Sequence, residues 1–203
     1  WISGTKLFWL MGVTGTPRTV GTACLDLSTT TPTSCGYTPL ASGQNSNTNN
    51  GAQIGSTALR ASDGNIYAVT VSNGSNRDLC IDPATGGLCV GNVSFNTGVT
   101  TPYTLASAVF GDYLFVSVQE TTASSWQTYC VRPSQNAVCS GNWPVTTSTS
   151  TAFAPTPFAP ILSATGTLTG ICTITNGSGT TSRCWSLVGL LRADNPYAGT
   201  GAD

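Results

Sequence analysis

The chain has 203 residues, a formal net charge of −1 and no histidine, and only 7% of its residues are charged. Seven Lys and Arg over this length cannot form a basic face, so we predict no nucleic-acid partner and no electrostatic attachment to membranes. The lack of histidine excludes the usual base of a nucleophile triad. No apolar run reaches the ~20 residues of a membrane-spanning helix, and no glycine-rich phosphate loop is visible, so no membrane insertion and no cofactor are predicted.

Four segments follow one pattern, in which a glycine precedes a short apolar run. They recur about every fifty residues, a period typical of β-repeat architectures. These glycines are Gly4, Gly64, Gly111 and Gly166. We predict a single repeat domain over 1–203, with repeats at about 1–55, 56–103, 104–158 and 159–203.

Each repeat is predicted to contain roughly three to four antiparallel strands. In the second repeat Ile66–Val71 is a run of β-branched and aromatic residues, Tyr113–Val118 in the third is similar, and Gly, Asn and Asp bound these runs. A second strand then carries one cysteine, and a third strand carries the next. No segment keeps a helical period, so the predicted fold class is all-β.

The eight cysteines fall into close pairs, and none shows the C-x2-C spacing of a zinc knuckle. Disulfides are therefore predicted, each closing a short loop between neighbouring strands. The predicted pairs are Cys24–Cys35, Cys80–Cys89, Cys130–Cys139 and Cys172–Cys184. Because disulfides persist in oxidising compartments, we expect a secreted, periplasmic or cell-surface protein, and secreted or cell-surface before periplasmic.

The fourth repeat departs from this pattern. Cys184 aligns with the first cysteine of the other pairs, but no second cysteine follows it. Cys172 lies in the preceding strand, on the other side of a polar turn, so the two cysteines would face each other across a hairpin. The third repeat departs in another way, because Arg132 stands where the first two repeats have Asp26 and Asp82.

The second repeat contains the phrase C-x-D-x-x-T-G-x-x-C-x-G over residues 80–91. It resembles the cysteine-bearing repeats of secreted bacterial β-propeller proteins, and the glycine-led strand followed by a hairpin is similar to kelch-type repeats. This resemblance implies a β-propeller-like fold with a binding or scaffolding role, and it transfers no catalytic residue. Two β-sandwich domains of about a hundred residues each are the alternative architecture.

Sugar attachment is suggested by three sequons, at Asn73, Asn92 and Asn176. The alternative is that Asn-Gly simply forms a preferred hairpin turn. The Thr- and Ser-rich stretches 28–34 and 146–157 are typical of O-glycan acceptors, or else of ordinary polar loops.

Sugar binding is suggested by Trp126 and Trp143, which lie among polar residues and could stack on sugar rings. Packing between sheets is the alternative for these tryptophans, and it is favoured. Catalysis by acidic residues is not expected, since the chain has a lone glutamate, Glu120, and Asp26 and Asp82 recur at positions typical of turn caps. A calcium site at 63–65 or at Gly111-Asp112 would lack enough spaced acids, so no metal site is predicted.

The sequence as a whole predicts an extracellular structural or adhesive β-repeat module that is not an enzyme. It would be a subunit of a surface polymer or filament, with copies of itself or other surface proteins as partners. The alternatives are a lectin-like propeller that binds glycans and, less favoured, a fragment of a secreted carbohydrate-active enzyme. Because the chain begins with Trp1 and not Met, we expect a processed product or a piece of a longer protein.

Overall fold

The structure is a computed structural model that is all-β in the part of the chain it describes. That part comprises residues 1–13, 18–43, 59–61, 63–72, 75–89, 103–120, 125–135, 137–148, 155–175 and 181–194. Within these ranges the strands form four antiparallel sheets, and a short 3-10 turn spans Pro133–Gln135. No helix among these residues is long and apolar enough to cross a membrane. The predicted all-β class with antiparallel sheets is confirmed.

The chain divides into two compact units, the N-terminal unit Trp1–Thr104 and the C-terminal unit Leu105–Asp203. The N-terminal unit contains two sheets. Sheet 1 has the order β1-β2-β3-β4, with β1 at Ile2–Ser3, β2 at Lys6–Val13, β3 at Arg18–Asp26 and β4 at Thr33–Gly43. Sheet 2 has the order β5-β6-β7, with β5 at Leu59–Arg60, β6 at Ile66–Ser72 and β7 at Ser75–Ile81.

The remaining two sheets follow in chain order. Sheet 3 has the order β11-β10-β9-β8, and β12 also pairs with β10. Its strands are β8 at Tyr103–Phe110, β9 at Tyr113–Glu120, β10 at Ser125–Arg132, β11 at Ala137–Val138 and β12 at Val145–Ser148. Sheet 4 has the order β13-β14-β15, with β13 at Pro155–Leu162, β14 at Leu168–Thr175 and β15 at Thr181–Ser186.

Each predicted repeat corresponds to one sheet. The sheets begin slightly earlier than predicted in the second half of the chain, with β8 at Tyr103 and β13 at Pro155. The glycine that leads each repeat sits in the tight turn before a strand and adopts a positive φ, between 58° and 85°. Glycine reaches this left-handed conformation without the steric cost that a Cβ would add, which explains its recurrence.

All four predicted disulfides are present, with Cα–Cα distances from 4.0 to 5.3 Å. The fourth has moved by one strand, as the sequence predicts: Cys172 in β14 is the direct register partner of Cys184 in β15. No cysteine is free. Disulfides of this kind indicate an oxidising compartment.

In each unit two sheets share one apolar core. In the N-terminal unit, Leu40 of sheet 1 packs with residues of sheet 2, and Trp1 and Leu10 lie against this cluster; its other buried members are Ile66, Ala68, Leu79 and Ile81. In the C-terminal unit, Phe115 of sheet 3 and Ile171 of sheet 4 are fully buried in one cluster with Cys130 and Cys139. A sheet of three or four strands exposes too much apolar surface alone, so pairing of sheets stabilises both members.

Candidate functional site

The turn that follows the first cysteine is built in closely similar ways in the second and fourth repeats. In the second repeat the Asp82 N–H donates to the Gly87 carbonyl at 2.9 Å, and the Gly86 N–H donates back to the Asp82 carbonyl at 2.8 Å. The Asp82 carboxylate accepts the Ala84 N–H at 2.9 Å and the Thr85 hydroxyl at 3.0 Å. Asp82 therefore stabilises its own turn.

The fourth repeat keeps this turn without its aspartate or its second cysteine. Ser186 replaces Asp82: its N–H donates to the Leu190 carbonyl, and its hydroxyl accepts the Leu190 N–H at 3.2 Å. The Arg192 N–H donates to the Cys184 carbonyl at 2.9 Å, as the Cys89 N–H does to Cys80 in the second repeat. The backbone turn is therefore retained where the disulfide has moved.

The third repeat obtains its carboxylate from another turn. Arg132 occupies the aspartate position, and Asp112 from the hairpin before β9 reaches across to it, with distances of 3.0 and 2.8 Å from Nε and Nη2 to Oδ2. Asp112 Oδ1 also accepts the Ser134 N–H at 2.9 Å, the bond that Asp26 Oδ1 makes with the Ser28 N–H in the first repeat. The Arg132 guanidinium lies over the Tyr113 ring, 5.1 Å from its centroid.

These contacts lower the pKa of Asp112. Partial burial favours the neutral acid, but hydrogen bonds from Ser134 and the Arg132 guanidinium outweigh it and hold the pKa of Asp112 below its ordinary value. The pKa of Asp26 is also lowered, mainly by the hydrogen bonds from Ser28. Both carboxylates are therefore turn acceptors in their charged form, which is the opposite of what a general acid requires.

The carboxylates of both candidate calcium turns accept hydrogen bonds from neighbouring side chains. Asp63 accepts hydrogen bonds from the Asn65 N–H, the Asn65 side-chain amide and the Tyr67 hydroxyl, the last at 2.7 Å. Asp112 is held by Arg132 and Ser134. The described residues contain no group of three or more His, Cys, Asp or Glu that could hold a metal ion.

A tryptophan holds the turn of the even-numbered repeat in each compact unit. In the N-terminal unit, Trp1 Nε1 donates to the Pro83 carbonyl at 3.1 Å and the Trp1 ring stacks on Phe8 at 5.4 Å. The Thr22 hydroxyl donates to the Gly86 carbonyl at 2.6 Å. Gly86 lies so close to Phe8 that an added Cβ would sit 2.7 Å from its ring. The turn is thus docked on sheet 1.

In the C-terminal unit the turn of sheet 4 is held in a similar way, by Trp143 and Asn142. Trp143 Nε1 donates to the Leu187 carbonyl at 2.9 Å, and the Trp143 ring lies 5.6 Å from Phe115. The Asn142 N–H donates to the Val188 carbonyl at 2.9 Å. Sheet 3 therefore holds the turn of sheet 4 as sheet 1 holds the turn of sheet 2.

The two tryptophans proposed for sugar stacking thus have structural roles. Trp126 is only 1% exposed, so its ring cannot meet a sugar and that candidate is wrong. Residues alternate sides along a strand, so the polar neighbours of Trp126 said nothing of the side it faces. Trp143 is half-buried against Phe115 with its N–H already used. Packing between sheets describes Trp143, which lies against the core shared by sheets 3 and 4.

One tryptophan that the sequence reasoning passed over is more accessible. Trp9 in β2 is 39% exposed. It pairs with Ala23 in β3, which in turn pairs with Tyr37 in β4. The Tyr37 hydroxyl donates to the Thr19 hydroxyl at 3.1 Å. Its exposure could have been predicted from the alternation of sides along β2, because Trp9 directly follows the buried Phe8.

The candidate glycosylation sites are described only in part. Asn73, Asn92 and Asn176 lie outside the described residues, so their sequons stay predictions. The stretch 28–34 is described and is exposed throughout, whereas 146–157 is described only at its two ends.

An exposed aliphatic side chain recurs at one position in three of the four sheets. The three residues are Leu88, Val138 and Leu191, which are 41%, 56% and 67% exposed. Each lies opposite the residue that follows the first aligned cysteine, namely Ile81, Val131 and Trp185. In sheet 1 the corresponding partner of Leu25 is Ser34, a hydroxyl residue. Single exposed aliphatic residues are ordinary, but recurrence at one place in a repeat needs a reason.

Two of three comparisons with known proteins give no match. No protein-family model matches it. No curated protein matches it significantly. Among solved structures it is similar to a GH43 glycoside hydrolase whose active site was engineered to display both endo-xylanase and exo-arabinofuranosidase activity, at 11% identity and a TM-score of 0.46. The match covers 95% of this chain but 38% of the hydrolase chain, and a likeness at this level shows neither fold nor activity.

Proposed function

We propose that this chain is an extracellular structural or adhesive β-repeat module that associates with copies of itself or other surface proteins and does not catalyse a reaction. The observation that carries the proposal is the recurring exposed aliphatic position, occupied by Leu88, Val138 and Leu191. Each precedes the residue that closes the turn, Cys89, Cys139 or Arg192, so the apolar group sits on a fixed backbone.

The low charge of the chain supports contact between copies. With a net charge of −1 and only 7% charged residues, like copies would not repel each other strongly. Apolar contacts are non-directional and scale with the area removed from water, so several small, rigid patches suit repeated association. Four disulfides support a secreted or cell-surface location.

The proposed fold is propeller-like, with each sheet as one blade. Its support is the repeated glycine-led strand, one antiparallel sheet for each repeat, and the docking of one sheet's turn on its neighbour inside each unit. Two sheets sharing one core are common to adjacent propeller blades and to a β-sandwich. The choice between these architectures is thus part of the proposal.

The absence of catalysis is proposed because several carboxylates in the described turns accept hydrogen bonds from neighbouring residues. Asp82 and Asp112 accept hydrogen bonds from their turns, and Asp63 accepts them from Asn65 and Tyr67. A catalytic pair needs at least one carboxyl group that is free to meet a substrate.

The test is sedimentation velocity with negative-stain microscopy on the wild type and a triple variant, Leu88→Ser, Val138→Ser and Leu191→Ser. We expect the wild type to form oligomers or filaments, and the triple variant to need at least about tenfold more protein to do so, since each lost contact is worth on the order of 1 kcal/mol. The control triple variant is Ile2→Ser, Leu27→Ser and Leu162→Ser, three exposed aliphatic residues outside the recurring position. A monomeric wild type that adheres to no surface protein, or equal effects of the two triples, would overturn the proposal.

A lectin-like role is the second candidate, and the exposed Trp9 is the observation that favours it. An exposed aromatic ring beside a small residue, here Ala23, offers a flat surface to the apolar face of a sugar. Glycan-array binding that is lost in Trp9→Ala and kept in Trp143→Phe would support this candidate. Equal binding by wild type and Trp9→Ala would remove it.

A further inference from the structure

The loop closed by Cys24 and Cys35 differs from the three equivalent loops. Every residue from Leu27 to Gly36 is exposed. The two cysteines of this loop are 11 positions apart, whereas those of the Cys80–Cys89 and Cys130–Cys139 loops are 9 apart. Its tip is rich in hydroxyl groups, and Pro32 lies in its middle. The residues concerned are Ser28, Thr29, Thr30, Thr31, Thr33 and Ser34.

Hydroxyl groups in the other turns are already used for structure. The Thr85 hydroxyl donates to Asp82, the Ser134 hydroxyl donates to Asp112 at 2.6 Å, and the Ser186 hydroxyl accepts the Leu190 N–H. Each is therefore held by a partner in or beside its own turn, which leaves it poorly placed for chemistry with another molecule.

In the first loop the Ser28 side chain hydrogen-bonds to Asp26, but three of the six hydroxyl groups are not held in this way. The Thr29 hydroxyl donates to the Thr31 carbonyl at 2.7 Å, and the Ser34 hydroxyl accepts the Gly36 N–H at 3.2 Å. Within the described part of the chain, the hydroxyls of Thr30, Thr31 and Thr33 make no hydrogen bond.

The backbone of the tip is also accessible. Asp26 of β3 pairs with Thr33 of β4, which fixes the two ends of the loop, and the Leu27 N–H donates to the Thr5 carbonyl at 2.7 Å. Among the described residues, those from Thr29 to Pro32 make no backbone–backbone hydrogen bond. Pro32 also has no N–H and favours an extended backbone on its N-terminal side. An exposed, extended hydroxyl segment with proline is the form in which O-glycan acceptors occur.

We propose that Thr30, Thr31 and Thr33 are acceptor sites for O-linked sugars, an inference that rests on the extracellular location in the proposed function. In the transfer, threonine Oγ1 forms a bond to the anomeric carbon of a nucleotide- or polyprenyl-phosphate sugar. The bond from that carbon to the phosphate oxygen breaks, the phosphate leaves with the electron pair, and the hydroxyl proton passes to a base of the transferase. The sugar supplies hydration that a chain with 7% charged residues otherwise lacks.

The test is peptide mass mapping of the protein purified from its natural source. Cleavage after Arg18 and Arg60 releases residues 19–60, which contain no N-glycosylation sequon, so any sugar on this peptide is O-linked or on another side chain. Fragmentation that keeps the sugar attached is expected to place hexose or hexosamine masses on at least one of Thr30, Thr31 and Thr33. Thr85 and Ser134 serve as internal controls and are expected to be bare.

A triple variant, Thr30→Val, Thr31→Val and Thr33→Val, is expected to lose the sugar mass, while Thr85→Val keeps it. Formation of all four disulfides in each variant shows that folding is intact. A bare 19–60 peptide in native material, sugar confined to other residues of the loop, or equal modification of Thr85 would overturn the proposal. A bare peptide in a protein that still self-associates would leave the proposed function standing.

Discussion

The N-terminal and C-terminal units solve one packing problem with different residues. In each, an indole N–H from the odd-numbered repeat donates to the carbonyl three positions after the aligned cysteine of the next repeat, Pro83 in one unit and Leu187 in the other. The rings pack on Phe8 and Phe115, which occupy the same place after the leading glycine. The tryptophans do not correspond: Trp1 precedes β1, whereas Trp143 lies between β11 and β12.

This difference shows which property is repeated. The acceptors are backbone carbonyls of unlike residues, so the turn can be recognised whatever its sequence. The partner that recurs is an indole whose N–H reaches the turn carbonyl and whose ring packs on the phenylalanine of the neighbouring sheet. A donor from any part of the chain can serve, and the two units use donors from different parts.

The largest predicted effect tests whether the two phenylalanines are equivalent. Phe115 is fully buried and Phe8 is 3% exposed, so Phe115→Ala and Phe8→Ala should each lower the free energy of unfolding by about 3–5 kcal/mol. Urea unfolding followed by tryptophan fluorescence measures the loss. If either variant lost less than about 1 kcal/mol of unfolding free energy, Phe8 and Phe115 would not be equivalent parts of the two cores.

The next effect tests whether the Cys172–Cys184 disulfide stabilises its sheet as much as Cys80–Cys89 does. Replacing both cysteines by serine in Cys172–Cys184 or in Cys80–Cys89 should cost about 2–3 kcal/mol, because the closed loops are of similar length. Chemical denaturation of the two double variants gives the comparison. A cost for Cys172–Cys184 near zero would mean that the move by one strand had removed its stabilising effect.

A smaller effect isolates the indole hydrogen bond. Trp143→Phe and Trp1→Phe keep an aromatic ring but leave the Leu187 or Pro83 carbonyl without its donor, so each should cost about 1–2 kcal/mol. Differential scanning calorimetry would detect this as a lower Tm. Trp9→Phe is the matched control and should change the Tm little, since Trp9 is largely exposed for a strand residue.

The smallest effect is the pH dependence of the third turn. Because the pKa of Asp112 is lowered in the folded protein, its contribution is present above about pH 4 and is lost as the pH falls through the lowered value. Asp112→Asn should therefore flatten the loss of stability on acidification, and Arg132→Gln should flatten it partly. Unfolding free energies measured between about pH 2 and pH 7 test this. A wild-type curve unchanged by Asp112→Asn would contradict the assigned role.

The parts of the fold that were predictable leave local signatures in the sequence. Glycine at a positive φ and paired cysteines across a hairpin are required by geometry within a few residues, so repeats, strands and disulfides could be derived, even the shifted Cys172–Cys184 pair. The Asp82 turn could be derived for the same reason, because its acceptor and donors are neighbours in sequence.

The parts that were not predictable depend on contacts between distant segments. Arg132 in the aspartate position looked like a broken repeat, and only the fold shows Asp112 from another hairpin restoring the bond to Ser134. Polar neighbours made Trp126 a candidate for sugar stacking, although packing was favoured, and the structure buries its side chain in β10. Leu88 and Val138 each precede a second cysteine and align in the sequence, but the fourth repeat has no second cysteine, so only the register places Leu191 with them.

The central claim is that the two sheets of each compact unit are stable as a pair, joined by the tryptophan and the turn that accepts its hydrogen bond. Hydrogen exchange of wild type and Trp143→Phe, read by mass spectrometry on peptides from β10 and β15, tests it most directly. The account predicts that amides in both strands exchange about five- to thirtyfold faster in the variant, by the same free energy of opening. Faster exchange in β10 alone, with β15 unchanged, would contradict it.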